Sequence, residues 1–496
     1  MIFDIQQNNR KTDVNIFVIL LSLLIVLLLT PTRFEYINKS ENIILISIAL
    51  INIIYFFFTS KRAYPSWIRF ETIFLIAFVI VHFQIPFFYS LGIVTEDTSI
   101  INDNIMVVNY ATWLSVIVSL FWILGFLVFM KQSLYNKLYF RDNRKTLQFT
   151  NYNIPTLRID IILFILLILF FILVGNKFLQ GNYDGGQNWG KGSSYIFLVF
   201  KSLLLLRVIY FFMNNKRTIR LINLPQLLFN NKLLLVIVII FIGVFISAGD
   251  RAEILQLFIV SAGSYGIFQK KISFQSLVLM ICIGSIFFTI IRYGRTRDAY
   301  EDHSALRSGY NTLLEENLPL SPTNELASSN RILYTALDVV PDKISYSHGF
   351  IMLNESLSII PFATRIFNEF ISIPRMYMSS SLFFTFLAYG NNPTAGEGSE
   401  IISDIYINYG VYGVIILMFL FGYFISFTSF HATIKQKHIW IIIYLLMLGS
   451  SVFINRASFL SPWKDVFNVL ILNLIFFNKK YSEVTHQTKI DTTIHK

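Results

Sequence analysis

The chain has 496 residues, 55% hydrophobic and only 14% charged, with a mean hydropathy of +0.60. Soluble domains carry about 25% charged residues, so a soluble globular enzyme is excluded. The net charge of +11 reads as membrane topology rather than nucleic-acid binding, because the basic residues gather in loops facing one side.

Apolar blocks of about twenty residues, the length that crosses a bilayer core, recur along the chain. They lie near 14–30, 43–59, 68–88, 106–130, 157–175, 194–213, 233–248, 253–268, 274–291, 404–430, 439–455 and 464–477. Backbone polar groups must be satisfied inside lipid, so these segments are predicted to be helices. The first is followed by Thr30-Pro31-Thr32-Arg33-Phe34, without a small-residue cleavage site, and is expected to remain a helix. The pattern predicts an all-α polytopic membrane protein with about 12 transmembrane helices. Residues 1–291 would carry spans one to nine, 292–403 one large folded extracytoplasmic loop, 404–477 spans ten to twelve, and 478–496 a cytoplasmic tail. No tandem repeat is visible. The single cysteine, Cys282, excludes an internal disulfide and a cysteine-built metal site.

With the N-terminus placed inside, the inner segments hold 23 Lys and Arg and the short outer loops seven. That excess predicts cytoplasmic termini and an external face for the long loop. A structureless segment of this length is unusual in a compact protein, and this one carries helix signals. Residues 328–340 have capping residues and helical apolar spacing before Pro341. Residues 348–360 read as a second helix stopped at Pro361, and 362–371 as a third. Residues 376–389 are apolar but too short to span, and are expected to pack on the membrane surface or the bundle.

Several residues carry the potential for chemistry. Lys201 is placed mid-span, where a charge costs about 2.5–3.5 kcal/mol, so it faces either a polar cavity or a paired acid. Arg207 lies nearer the inner end and is expected to snorkel to the cytoplasmic face. Residues 181–190, rich in Gly and Asn, read as an outer turn. Arg251 sits in Ser247-Ala-Gly-Asp-Arg-Ala-Glu253, a turn too short to leave the headgroup layer. Its planar fork suits phosphate oxygens, and the plainer alternative is pairing with Asp250 or Glu253. Arg292, Arg295 and Arg297 cluster at the outer end of span nine, either for an anionic lipid-linked group or for Asp298, Glu301 and Asp302 nearby. Arg456 repeats the Arg251 situation more weakly. His348 has a side chain suited to proton transfer but equally reads as a packed or solvated histidine. His303 reads as solvated loop. Glu397, Glu400 and Asp404 precede or open span ten, where acids are favoured by the helix dipole; a carboxylate there is also a candidate general base. No phosphate loop, nucleophile elbow or metal-binding signature is present.

The stretch Gly396-Glu-Gly-Ser-Glu-Ile-Ile-Ser-Asp-Ile-Tyr-Ile-Asn-Tyr-Gly-Val-Tyr-Gly413 resembles the Wzy-type O-antigen (oligosaccharide repeat unit) polymerase family. So does Tyr346-Ser-His-Gly-Phe350, and the turn Ala248-Gly-Asp-Arg251 is similar to the arginine turn of related bacterial polysaccharide polymerases. One departure concerns the acid of the Tyr-x-Asn-Tyr-Gly segment, which here is Asp404, two residues before Tyr406. The resemblance implies a GT-C-like membrane glycosyltransferase with helices around a lateral lipid groove, in the bacterial inner membrane. It implies transfer of a growing glycan from undecaprenyl pyrophosphate to the non-reducing end of the next lipid-linked repeat unit. That transfer would be inverting and metal-independent, without a cofactor. Arg251, Arg292, Arg295, Arg297, Arg456 and Lys201 would serve the pyrophosphate. Arg251, His348, Glu397, Glu400 and Asp404 would be catalytic candidates, and Tyr346, Tyr406 and Tyr409 would contact glycan. Partners would be undecaprenyl-pyrophosphate-linked oligosaccharides and membrane lipid, with a chain-length regulator and a flippase as further partners and no nucleic acid. An O-antigen ligase acting on the lipid A core and a lipid-linked oligosaccharide flippase are the alternatives.

Overall fold

The computed structural model describes residues 2–60, 66–93, 98–139, 156–175, 178, 189–215, 231–295, 305–315, 323–360, 363–371, 373–393 and 395–476. Among them the fold is all-helical, with no strand. The helices are α1 (Ile2–Leu28), α2 (Lys39–Ser60), α3 (Phe70–Ser90), α4 (Ser99–Asp103), α5 (Val108–Tyr139), α6 (Thr156–Val174), α7 (Ser193–Asn214), α8 (Lys232–Ser247), α9 (Ala252–Phe268) and α10 (Phe274–Arg295). The loop region then forms α11 (Ala305–Glu315), α12 (Asn324–Ala327), α13 (Asn330–Val339), α14 (Phe350–Ile359), α15 (Ala363–Phe370), the 3-10 turn η1 (Arg375–Tyr377) and α16 (Ser380–Tyr389). The chain closes with α17 (Ile401–Thr433), α18 (His438–Ser450), η2 (Phe453–Arg456) and α19 (Ser461–Phe476). Each apolar block falls on one of these helices, and seven described helices are long and apolar enough to cross a membrane. Shorter apolar helices join them, so the chain is a polytopic membrane protein.

The centre of the bundle is the pair α5 and α17. In the apolar stretch of α5, 89% of residues are buried, against 18% in α10, which lies at the rim. Small residues make the central pair possible. A Cβ at Gly125 would overlap the carbonyl of Phe419, and one at Gly422 the carbonyl of Trp122. Close backbone approach of this kind is how membrane helices gain dispersion energy when lipid is as apolar as leucine. Aromatic rings fill the layer beside it, with Phe74 and Trp122 centroids 5.0 Å apart and Phe70 and Phe421 5.6 Å apart. Polar side chains lock helices together inside this apolar setting: Asn42 donates to Asn109 at 2.8 Å and Tyr55 to Asn15 at 2.6 Å. Ile51, Ile172, Ile239, Ile283 and Leu474 stay exposed on the periphery, the composition of a lipid-facing belt.

α17 is not one continuous rod. Gly410 interrupts it with φ +66 and ψ −164. A 33-residue helix would be about 50 Å long, well beyond the roughly 30 Å hydrocarbon core. The break gives the first ten residues to the loop layer and leaves a remainder long enough to cross. The loop helices follow the expected boundaries: α13 ends before Pro341, and α14 spans Phe350–Ile359. The short apolar helix is α16, capped by Ser379, whose side chain accepts from Leu382 N. It packs on η1 and α13, within the loop layer.

Candidate functional site

The short turn after α8 holds Gly249 at φ +76 and places Arg251 at the start of α9. Arg456 ends η2, which is pinned to α3 where Asn455 Nδ2 donates to the Phe74 carbonyl at 3.3 Å. Both arginines meet on one carboxylate. Arg251 Nη2 pairs with Glu325 Oε2, and Arg456 Nη1 with Glu325 Oε1 at 3.2 Å. Glu325 belongs to α12, which packs on α3. A groove of about 210 Å³ lies between α3, α9 and α10, lined by apolar side chains including Ile76, Ile80, Phe258, Ala262, Met280 and Ile281. Thr323, Leu326 and Val452, from outside these three helices, also line it. Two of these lie within two residues of Glu325 in sequence, so the groove reaches the short helix whose carboxylate bridges the arginine pair.

Lys201 lies deeper along α7 but its ammonium is drawn to that same end. It pairs with Glu253 Oε2 at 2.7 Å, in the first turn of α9, and with Asp465 Oδ2 at 3.1 Å, on α19. Gln256 Nε2 also donates to Asp465 at 2.7 Å. Arg207 does not snorkel. It is buried and held by Asp160 of α6, with Nε and Nη2 at 2.8 and 3.1 Å from the two carboxylate oxygens. A planar fork facing a carboxylate within a dry helix interface is a better partner than a distant water layer.

The acids before and at the start of α17 are interior groups. Glu400 is fully buried, and its oxygens accept from Ile402 N and Ser403 N, both at 2.7 Å, as a helix cap. His82 Nε2 of α3 lies 3.3 Å from Glu400 Oε1. Burial pushes the Glu400 carboxyl up to about 7, against the lowering effect of its cap bonds. Asp404 is equally buried, and its Oδ2 accepts from Phe459 N at 2.8 Å. Glu355 of α14 accepts from Ser380 N and Ser380 Oγ at 2.9 Å; burial raises its carboxyl above the usual range despite these bonds. The segment after η2 therefore ties Arg456 to the acid layer three residues on.

The two motifs that carried the resemblance pack against each other. Ser347 N donates to the Ile407 carbonyl at 2.9 Å, and Ser347 Oγ to Asn408 Oδ1 at 2.5 Å. The Tyr346 and Tyr406 rings meet edge-on at 5.9 Å, and Tyr406 donates to the Val340 carbonyl at 3.1 Å. Gly349 abuts the Tyr409 ring, which stays partly exposed. His348 is exposed with φ +49 at the tip of this junction. Glu397 faces elsewhere, paired with Arg331 at 2.6 Å over a polar cavity of about 410 Å³ that Asp103, Asn104 and Thr335 also line. Arg292 and Arg295 lie on the last turn of α10. Their side chains, Arg297, His303 and most of the 181–190 turn lie outside the described residues.

The structure thus joins Arg251 with Arg456, and Tyr346 with Tyr406. It engages Lys201 with two acids and gives Glu400 and Asp404 to the interior. Glu325, His82, Glu355 and Asp465 escape sequence reasoning. Glu325 sits in a short polar stretch without periodicity, and the other three lie in or beside apolar runs whose partners are distant in the chain. Nothing in the sequence points from Arg251 or Arg456 to Glu325.

Comparison with curated proteins and with solved structures returned no match. The family model for the O-antigen polysaccharide polymerase Wzy matches residues 14–482, nearly the whole chain, and the protein belongs to that family.

Proposed function

We propose that this chain polymerises lipid-linked oligosaccharide repeat units, moving the growing glycan from undecaprenyl pyrophosphate to the non-reducing end of the next lipid-linked unit. The family supports O-antigen polymerisation on lipid-linked units. The finer reading rests on one coincidence: Arg251 and Arg456 meet on Glu325, whose neighbours Thr323 and Leu326 line the apolar groove between α3, α9 and α10. A polyprenyl chain needs an apolar trough, and its diphosphate needs preorganised cationic forks at the end of it. In this reading twelve helices cross the inner membrane in a GT-C-like arrangement, both termini are cytoplasmic, and residues 292–403 face outward.

The reaction is a single displacement. The acceptor hydroxyl oxygen attacks the anomeric carbon, the bond from that carbon to the phosphate oxygen breaks, and configuration inverts. The hydroxyl proton passes to a base. The leaving undecaprenyl diphosphate takes the electron pair, and Arg251 and Arg456 stabilise the charge developing on it without a metal. Glu400, capping α17, and Asp404, buried in its first turn, act by positioning: they anchor that turn and the segment that carries Arg456.

Replacing Arg251 or Arg456 by alanine in cells should abolish long glycan chains while leaving protein level and single-repeat transfer intact. A normal chain-length ladder from both variants would overturn the reading. A ligase would instead leave free lipid-linked polymer on deletion. A flippase calls for charges open to a central cavity, and Lys201 and Arg207 are both engaged with carboxylates at helix interfaces.

A further inference from the structure

The two arginines already have an occupant in the chain itself. Glu325 presents its two carboxylate oxygens to two different guanidinium groups, one from the turn before α9 and one from η2. A phosphate group offers the same arrangement of acceptor oxygens to the same forks. The position is also tied to the groove, because Thr323 and Leu326, on either side of Glu325 in sequence, line it. A diphosphate attached to a chain lying in the groove would emerge where that carboxylate sits.

The residues around Glu325 are held in place, and its ion-paired side chain is partly exposed. Asn324 accepts from Gln84 Nε2 at 3.3 Å, Ala327 N donates to the Thr323 carbonyl at 2.9 Å, and Ser328 Oγ donates to the Glu325 carbonyl at 3.1 Å. The Glu325 side chain is 30% exposed, so its carboxylate can exchange the arginines for water by side-chain rotation. A diphosphate carries more negative charge than one carboxylate, so it competes for the two guanidinium groups that Glu325 bridges.

We propose that Glu325 is a built-in competitor for the lipid diphosphate. In the unloaded protein it fills the anion seat and holds Arg251 and Arg456 together; on loading it swings out, and after transfer it returns and helps expel the spent carrier. This rests on the reading of the groove and arginines given above. A ligand that finds its seat open in only a fraction of molecules binds more weakly by that fraction.

The test uses the full-length protein in lipid nanodiscs, titrated with inorganic pyrophosphate and, separately, with farnesyl diphosphate. Glu325→Gln should bind both about tenfold more tightly than wild type, as for a seat open about a tenth of the time, and should turn over more slowly when carrier release limits the rate. Glu325→Asp keeps the charge but shortens its reach, and is expected to bind more tightly than wild type too; it serves if the neutral variant does not fold. Unchanged or weaker binding by the Glu325 variants, with binding lost in Arg251→Ala and Arg456→Ala, would overturn the competitor role and leave the proposed function standing. Wild-type binding by both arginine variants would overturn the diphosphate seat and the competitor with it.

Discussion

Gly410 presses against the ring of Tyr346: a Cβ added at 410 would lie 3.2 Å from Tyr346 Cζ and Oη. The contact joins the break in α17 to the tip of the loop layer. At φ +66 and ψ −164 the backbone occupies a region that is essentially open to glycine alone. Gly410→Ala should therefore destabilise the fold by about 1–3 kcal/mol and shorten or abolish the glycan ladder. Gly396→Ala, with nothing within 4 Å and no positive φ, should do neither. Thermal unfolding in detergent and glycan gels on the same strains check both.

Arginine geometry, not charge alone, is expected to matter at the clamp. Arg251→Ala should lower the polymerisation rate on the order of a hundredfold, the scale for removing one donor to a developing anion. Arg251→Lys keeps a point charge and loses the fork, so it should retain a measurable fraction of the rate. Equal loss in the two variants, measured with purified protein and lipid-linked repeat units, would contradict this.

Glu400 gives the fold a pH dependence. Its carboxyl is pushed up from an ordinary 4.5 to about 7, so between those values the folded protein holds a proton that the unfolded chain has released. The stabilisation is complete below about 4.5 and is lost as pH rises through about 7, amounting to roughly 3 kcal/mol. Unfolding temperature should fall between pH 5 and 8. Glu400→Gln keeps an acceptor oxygen for the helix cap and removes the titration, so its unfolding temperature should vary less over that range.

The Arg207–Asp160 pair is predicted to be structural. Asp160→Ala strands a buried guanidinium and should cost about 3–5 kcal/mol, seen as loss of folded protein. Replacing both residues by apolar side chains, Arg207→Met with Asp160→Leu, should restore folding, because an isosteric apolar contact is often as stable as a buried pair. The double variant should also keep its glycan ladder, since neither residue reaches the groove.

Much of this protein was legible from one dimension. The spans follow from blocks of apolar residues that match the hydrocarbon thickness, and α13 and α14 from capping residues and prolines that act within one or two turns. The short turn that carries Arg251 between two apolar segments was legible too, and it lies between α8 and α9. The match between Tyr346-Ser-His-Gly349 and the Tyr406–Gly410 segment was visible as two motifs but not as one junction.

What sequence by itself determined is whatever depends on local periodicity: helix identity, helix length and the placement of polar segments between apolar ones. Tertiary structure decided the rest. It brought Arg456 beside Arg251 through Glu325, set Glu400 against His82, drew Lys201 to two acids, and broke α17 at Gly410. Each of these depends on which side chain faces which neighbour across elements distant in the chain. That is fixed by the close packing of α5 on α17 and of the loop layer on α3, through contacts that no local pattern of residues encodes.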